Sequence, residues 1–320
     1  MIIINKYFVI IIHDLTLFFK GISKYMKKII FEGVGTALIT PMKNGRIDYR
    51  ALDRLIEIQI DAGVGALIIG GTTGEAATLS DRERYTLYGH VKRRTCGRIP
   101  VIFGVGTNDT RIALKHIRQA AKIGCDGLLA VTPYYNKGTE TGVTEHYEKL
   151  LSESNLPVIL YNVPSRTGVN LTEKQLIRLS ENENAVAIKE AADSLDRFAF
   201  LSAMRDKLGL YSGSDSGIYA TLALGGLGVI SVISNIFPRE TVKIYKDFKA
   251  GAYDAALNTQ NALLPFIAAM FLETNPAPVK YAMSLAGLCK EEIRLPISPP
   301  KKSTRDLIKA EYERVLSLGI

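Results

Sequence analysis

Lys189 closes an apolar run, Ala185-Val-Ala-Ile188, and its charge fits that setting poorly. If the run is a buried strand, the amine emerges where desolvation disfavours the ammonium and favours the neutral form that attacks a ketone. That makes Lys189 a candidate Schiff-base nucleophile. A lysine there also fits a plainer role, reaching solvent or pairing with Glu190. Three other features bear on the choice. Tyr161 ends the run Val158–Tyr161, and its phenol could shuttle protons during imine formation, although a single tyrosine is more often a core residue with a satisfied hydroxyl. Gly70-Gly-Thr-Thr-Gly-Glu75 sets Thr72 and Thr73 on a glycine-rich turn whose hydroxyls and amides suit a small carboxylate, or merely connect a strand to a helix. Arg166, in Tyr161-Asn-Val-Pro-Ser-Arg-Thr-Gly168, could clamp a second carboxylate bidentately or pair with a surface acid. Each signal is weak alone; together at one mouth they point to imine chemistry on a keto acid.

The elements that must position these residues follow a repeated beat. Short apolar runs bounded by Gly, Pro or Asn read as fully buried parallel strands: Val34–Ile39, Ala66–Ile69, Val101–Phe103, Gly127–Val131, Val158–Tyr161, Ala185–Lys189, Gly209–Tyr211 and Gly228–Ser231. Amphipathic stretches such as Tyr49–Ala62 lie between them, and Ser80-Asp-Arg-Glu83 and Thr172-Glu-Lys-Gln175 read as capping boxes. Eight β–α units predict an α/β fold, a (β/α)8 TIM barrel over residues 26–252 with a C-terminal helical extension over 253–320 that covers a face or builds an oligomer contact. An open doubly wound sheet would carry a glycine fingerprint, which neither Gly33-Val-Gly35 nor Gly104-Val-Gly106 completes, and no phosphate-binding P-loop motif occurs. In such a barrel the carboxyl ends of the strands hold the site, which is where Lys189, Tyr161, the threonines and Arg166 fall.

Composition excludes other classes. Hydrophobic residues at 47% and charged residues at 22% are ordinary for a globular protein and exclude a disordered chain. The net charge of +8 raises nucleic-acid binding, but basic and acidic residues interleave and no block of five or six like charges appears. Cys96, Cys125 and Cys289 form no C-x-x-C pair and read as free thiols in a reducing, cytoplasmic compartment. His13, His90, His116 and His146 lack zinc-ligand spacing, so no metal is expected. Residues 1–25 differ from the rest. Their apolar run is broken by His13 and Asp14, too short to span a membrane and without a signal-peptide cleavage site. They read as an arm outside the fold, preceding a natural start at Met26.

Gly71-Thr-Thr-Gly-Glu75, Tyr161–Gly168 and Ile188-Lys-Glu-Ala191 follow in the order and spacing of the dihydrodipicolinate synthases, and the chain resembles that family from about residue 30 to its C-terminus. The family belongs to the class I pyruvate aldolases. The resemblance implies condensation of pyruvate with L-aspartate 4-semialdehyde through a covalent imine on Lys189, without a cofactor. It implies Tyr161 as the proton-relay tyrosine, with Thr73 linking it to Tyr135, which would act across a subunit interface. Thr72 with the Thr73 amide would hold the pyruvate carboxylate and Arg166 the aldehyde's carboxylate. Gly213 and Ile230 would line the pocket through their backbone, with Ser214 replacing an acidic residue common there. A homo-oligomer follows, usually a tetramer built as a dimer of dimers, though some members stop at the dimer.

The pattern departs from lysine-inhibited members. Asn108 and Tyr134 match the inhibitor site, but Ile112 stands for a glutamate, and Arg84 and Asp81 each stand for a histidine. An apolar residue cannot pair an ammonium and an arginine repels it, so lysine feedback is expected to be weak or absent. The nearest rival reading is a sibling aldolase acting on sialic acid or a 2-keto-3-deoxy sugar acid, which would not need Arg166 and would favour other residues in the loop where this chain has Glu190-Ala-Ala-Asp193. A catalytically dead barrel with a binding role is suggested only by the basic charge. The arm reading predicts that native protein analysed by mass spectrometry begins near Met26, and that a chain lacking residues 1–25 keeps its thermal midpoint. Residues 1–25 found intact in the native protein, with their removal unfolding it, would refute it.

Overall fold

The computed structural model describes residues 27–192 and 194–319; the arm at residues 1–25 and Asp193 lie outside them. In chain order, β1 (Gly33–Ala37) is followed by a short hairpin, β2 (Met42–Lys43) and β3 (Arg46–Ile47), that sequence patterning did not reveal. Then come β4 (Ala66–Ile69), β5 (Val101–Gly104), β6 (Gly127–Val131) and β7 (Val158–Asn162). The series ends with β8 (Ala185–Glu190), β9 (Gly209–Ser212) and β10 (Gly228–Ser231). All but the hairpin pair in parallel and close a barrel in the order β1-β10-β9-β8-β7-β6-β5-β4. The expected (β/α)8 barrel is present.

Expected and observed strands differ at their ends, for a local reason. β1 stops at Ala37 because the Ile39 amide leaves the ladder and donates to Asn235 Oδ1 at 3.0 Å. β7, β8 and β9 each run one residue further than the apolar pattern, since Asn162, Glu190 and Ser212 still pair side by side. Polar character at those positions hid a continuing strand.

Helices connect the strands: α1 (Tyr49–Ala62), α2 (Asp81–Thr95), α3 (Thr110–Ile123), α4 (Glu140–Glu153), α5 (Pro164–Thr167) and α6 (Glu173–Leu179). They continue as α7 (Leu195–Ala203), α8 (Ile218–Ala223) and α9 (Pro238–Lys249). Both capping boxes form: Ser80 and Glu83 exchange bonds at the start of α2, and Thr172 and Gln175 do so at α6. The apolar stripe of α1, with Leu52, Leu55 and Ile56, is fully buried against the strands. No helix among the described residues is long and apolar enough to cross a membrane.

Inside the barrel, alternate residues of each strand form a second core that includes Ile68, Ile102, Leu129, Ile159, Tyr211 and Ile230. Phe31, just before β1, stacks on Tyr211 with centroids 4.4 Å apart, and the Tyr211 hydroxyl donates to the Phe31 carbonyl. Among the described residues these groups fill the amino-terminal end, and the interior opens at the carboxyl ends of the strands.

Three further helices, α10 (Tyr253–Ala269), α11 (Ala277–Leu285) and α12 (Lys302–Leu318), make the C-terminal extension. It reaches back to the turn after β4. Lys280 of α11 is fully buried and forms an ion pair with Glu75, also donating to the Glu292 carbonyl at 2.7 Å. The Arg294 amide donates to the other Glu75 oxygen at 3.1 Å, and its guanidinium binds Glu83 and the Thr78 carbonyl. Removing one partner of such a pair strands a charge in a dry site, whereas replacing both does not. Lys280→Met is therefore expected to cost about 3–5 kcal/mol in urea denaturation. The double change Lys280→Met with Glu75→Gln is expected to recover much of that loss; equal losses would show that the pair does not hold the turn.

Candidate active site

Strands β7 and β8 are aligned so that Tyr161 and Lys189 are direct partners in the ladder. With a period of two along a strand, Lys189 points into the barrel and Glu190 points out. The Lys189 Nζ lies over the Tyr161 ring, 4.2 Å from its centroid, and the residue is only 6% exposed. Glu190 is fully buried on the other side, where it accepts from Arg197 Nε at 2.9 Å, Asn162 Nδ2 at 2.8 Å and the Ala192 amide at 2.8 Å. The alternative of a Lys189–Glu190 pair is therefore closed, because the carboxylate is used elsewhere. An amine over an aromatic face, with Glu190 turned away from it, is placed where a carbonyl compound entering the barrel would meet it.

The turn after β4 brings the threonines to the same mouth. Gly70 sits at φ +65°, and a Cβ there would fall 2.2 Å from the Tyr88 hydroxyl, so only glycine fits. The turn then bonds within itself, Gly74 and Ala76 amides to the Gly71 carbonyl and Glu75 amide to that of Thr72. The amides of Thr72 and Thr73 find no acceptor among the described residues and remain available to an anion. Thr73 is 3% exposed, and its Oγ1 accepts from Asn275 Nδ2 at 2.9 Å. Neither Asn275 nor Lys280 was singled out from the sequence; a lysine inside the apolar stretch Ala277–Leu285 was the signal available.

Two cavities meet here. The inner one, about 500 Å³, is lined by Lys189, Tyr161, Thr72, Thr73, Gly213 and Arg166 among others, and the loop Phe271–Asn275 walls its outer side. The other, about 460 Å³, shares Thr72, Tyr161, Arg166 and Asn275 and extends past Asp81, Arg84, Ile112 and Tyr134. Arg166 is presented by the single turn α5, its amide bonded to the Val163 carbonyl at 3.0 Å, and it lines both cavities instead of closing an ion pair among the described residues. Gly213 packs its backbone against β8, its amide on the Glu190 carbonyl at 2.6 Å; a Cβ there would meet Ala191 at 2.7 Å. Ile230 lies deeper, in the interior core, and the nearest cavity-lining residue along the chain is Val232, just past the end of its strand. Tyr135 does not join this site within one chain. It is 88% exposed, at φ +72° on the loop after β6.

Asp215, just beyond Gly213, is buried, and its Oδ2 accepts from the amides of Val232 and Ile233 at 3.0 and 3.1 Å. Burial pushes its carboxyl above the usual range, opposed by Ser231, those two amides and the nearby Lys189 charge. It fastens the β9 and β10 loops that flank the amine. No group of three or more His, Cys, Asp or Glu side chains among the described residues is arranged to hold a metal ion. The arrangement brings together an amine, a phenol, a hydroxyl, a turn with open amides and a guanidinium, groups whose chemistry suits carbonyl condensation between carboxylate-bearing substrates.

Comparison with known proteins agrees with this chemistry. A model of the dihydrodipicolinate synthetase family matches residues 30–314. The 4-hydroxy-tetrahydrodipicolinate synthase of Thermotoga neapolitana is 45% identical over 285 residues, covering 88% of this chain and 97% of that protein. The crystal structure of the Thermotoga maritima dihydrodipicolinate synthase superposes with a TM-score of 0.88 at 39% identity, covering 90% of this chain and 99% of its own. A chloride-inhibited dihydrodipicolinate synthase of Acinetobacter baumannii, solved with pyruvate, superposes with a TM-score of 0.87 at 36% identity, over 90% and 99% of the two chains.

Proposed function

Because this chain belongs to the dihydrodipicolinate synthetase family, it condenses pyruvate with L-aspartate 4-semialdehyde to 4-hydroxy-tetrahydrodipicolinate, and we propose that it does so with Lys189 as the Schiff-base nucleophile. The carrying observation is the buried amine 4.2 Å over the Tyr161 ring at the closed barrel's open end. The neutral amine adds to the pyruvate ketone carbon, and water leaves to give the imine. Loss of a methyl proton yields the enamine, whose carbon attacks the aldehyde and forms the new C–C bond. The amino group of the second substrate then displaces Lys189 from the imine carbon, closing the ring and freeing the enzyme. One water is released overall and no electrons change hands, so the reaction asks for no redox cofactor; we assign it none.

In this reading Tyr161 relays protons with Thr73, and Thr72 and the Thr73 amide hold the pyruvate carboxylate. Arg166 takes the carboxylate of the aldehyde substrate. Gly213 and Ile230 shape the pocket through their backbone. The exposure of Tyr135 suits a side chain that a neighbouring subunit covers, which supports a homo-oligomer, a tetramer of two dimers, with Tyr135 completing the partner's relay. The barrel at 26–252 carries the chemistry, the helical region at 253–320 supports it, and residues 1–25 take no part. Free thiols at Cys96, Cys125 and Cys289 and a biosynthetic role favour the cytoplasm. Partners are small molecules and copies of this chain, with no nucleic acid or membrane.

Borohydride with pyruvate is expected to add mass to native protein at Lys189 and none to Lys189→Ala, as read by peptide mass spectrometry. In a coupled assay with both substrates, Tyr161→Phe is expected to lose about 10²–10⁴-fold in rate. Absence of an adduct, or an adduct on another lysine, would refute the assignment.

The second cavity also bears on regulation. Arg84 donates to the Ala76 carbonyl at 2.8 Å and the Gly104 carbonyl at 3.3 Å, Asp81 is paired with Lys115 at 2.5 Å, and Ile112 is 42% exposed. A fixed guanidinium and an apolar side chain offer lysine's ammonium no partner. Free lysine is expected to leave the condensation rate unchanged up to about 1 mM, roughly −4 kcal/mol of binding, and half-inhibition below that concentration would overturn the expectation.

A further inference from the structure

We propose that Asn275, from the C-terminal extension, is a positioning residue that aims the Thr73 hydroxyl into the inner cavity. The inference rests on the reading of Lys189, Tyr161 and Thr73 given above. A threonine hydroxyl has one hydrogen to give and two lone pairs to fill. Left alone in a buried turn, it turns that hydrogen toward a backbone carbonyl. Two neighbours do this: Thr40 donates to the Gly74 carbonyl at 2.7 Å and Thr78 to the Glu75 carbonyl at 3.2 Å. Thr73 does not. It receives a hydrogen bond from Asn275 Nδ2 at 2.9 Å, which fills a lone pair and leaves its own hydrogen for an acceptor in the cavity it shares with Tyr161 and Lys189.

The orientation of the amide decides which way that hydrogen faces. Asn275 is 4% exposed, and its Oδ1 has no partner among the described residues. Turning the amide over would give that oxygen the Thr73 hydrogen but remove from the NH₂ group its bond to Thr73. It would also withdraw the hydrogen from the relay. A buried acceptor left unpaired carries a cost of about 1–3 kcal/mol, and such groups persist where function uses them. Asn275 is itself held from behind: it stands five residues before Lys280, whose pair with Glu75 ties the extension to the turn bearing Thr73. The C-terminal extension therefore sets the direction of proton transfer at a site built on the barrel.

The test compares native enzyme with Asn275→Ala, Asn275→Asp, Thr73→Val and the double variant Asn275→Ala with Thr73→Val, each checked for native circular dichroism. Asn275→Ala is expected to lower kcat at least about 30-fold with little change in the KM for pyruvate, approaching the 10²-fold scale of a lost proton relay. The double variant is expected to be no slower than Thr73→Val within about threefold, because both changes disable one unit. Asn275→Asp, nearly isosteric, offers only acceptors when ionised and captures the Thr73 hydrogen. Its kcat is expected to recover as pH falls and the carboxyl gains a proton to donate, a limb that native enzyme lacks. Multiplicative losses in the double variant, or a pH profile for Asn275→Asp parallel to that of native enzyme, would overturn the proposal even if Asn275→Ala fails to fold. Failure of native enzyme to trap pyruvate on Lys189 would instead sink the underlying assignment, and this inference with it.

Discussion

Two consecutive ionisable residues, Lys189 and Glu190, are both buried at the end of one strand, and the pleat of β8 sends them to opposite faces. Outside the barrel the carboxylate is satisfied by Arg197, Asn162 and the Ala192 amide, which makes it a structural anchor. Inside, the amine meets an aromatic face and an open cavity. Slipping β8 by one residue against β7 would exchange the two, placing an acid in the cavity and an amine beside the Arg197 guanidinium. The chemistry thus depends on strand register, and the ladder from Asn162 through Glu190 to Ser212 enforces it.

The barrel supplies the Lys189 amine and the Tyr161 phenol, but not the whole cavity. The turn after β4 takes its shape from elements far along the chain. Glu75, at φ +57°, meets Lys280 and Arg294, and Thr73 meets Asn275. A glycine-rich turn is permissive by nature, and without such fixtures its hydroxyls would sample many directions. The helices after residue 253 give this turn a single geometry, a use for a buried ion pair that adds little net stability by itself.

Much of this was legible in the amino-acid sequence because closed parallel barrels advertise themselves. Their strands are buried on both faces, so Ala66–Ile69 and Gly127–Val131 appear as unbroken apolar runs whose limits coincide with the ladder. Lys189 stood out for the same reason, as a charge at the end of such a run. Strand ends with polar residues were not legible: Asn162, Glu190 and Ser212 read as loop but continue the sheet. Nor was the hairpin Met42–Ile47, two residues a side, too short to show alternation. Asn275 and Lys280 escaped notice because their partners lie about 200 residues away, and no local pattern encodes a contact of that range.

The plug at the barrel's floor shapes the traffic through it. Phe31 stacked beneath Tyr211 leaves one doorway, and the amine waits below it. If Lys189 captures a molecule as proposed, a second arrival must settle above it in the same cavity, toward Arg166. On the proposal above the two are then joined, so they leave by that doorway as one product. The queue is ordered by architecture, before any difference in affinity is considered.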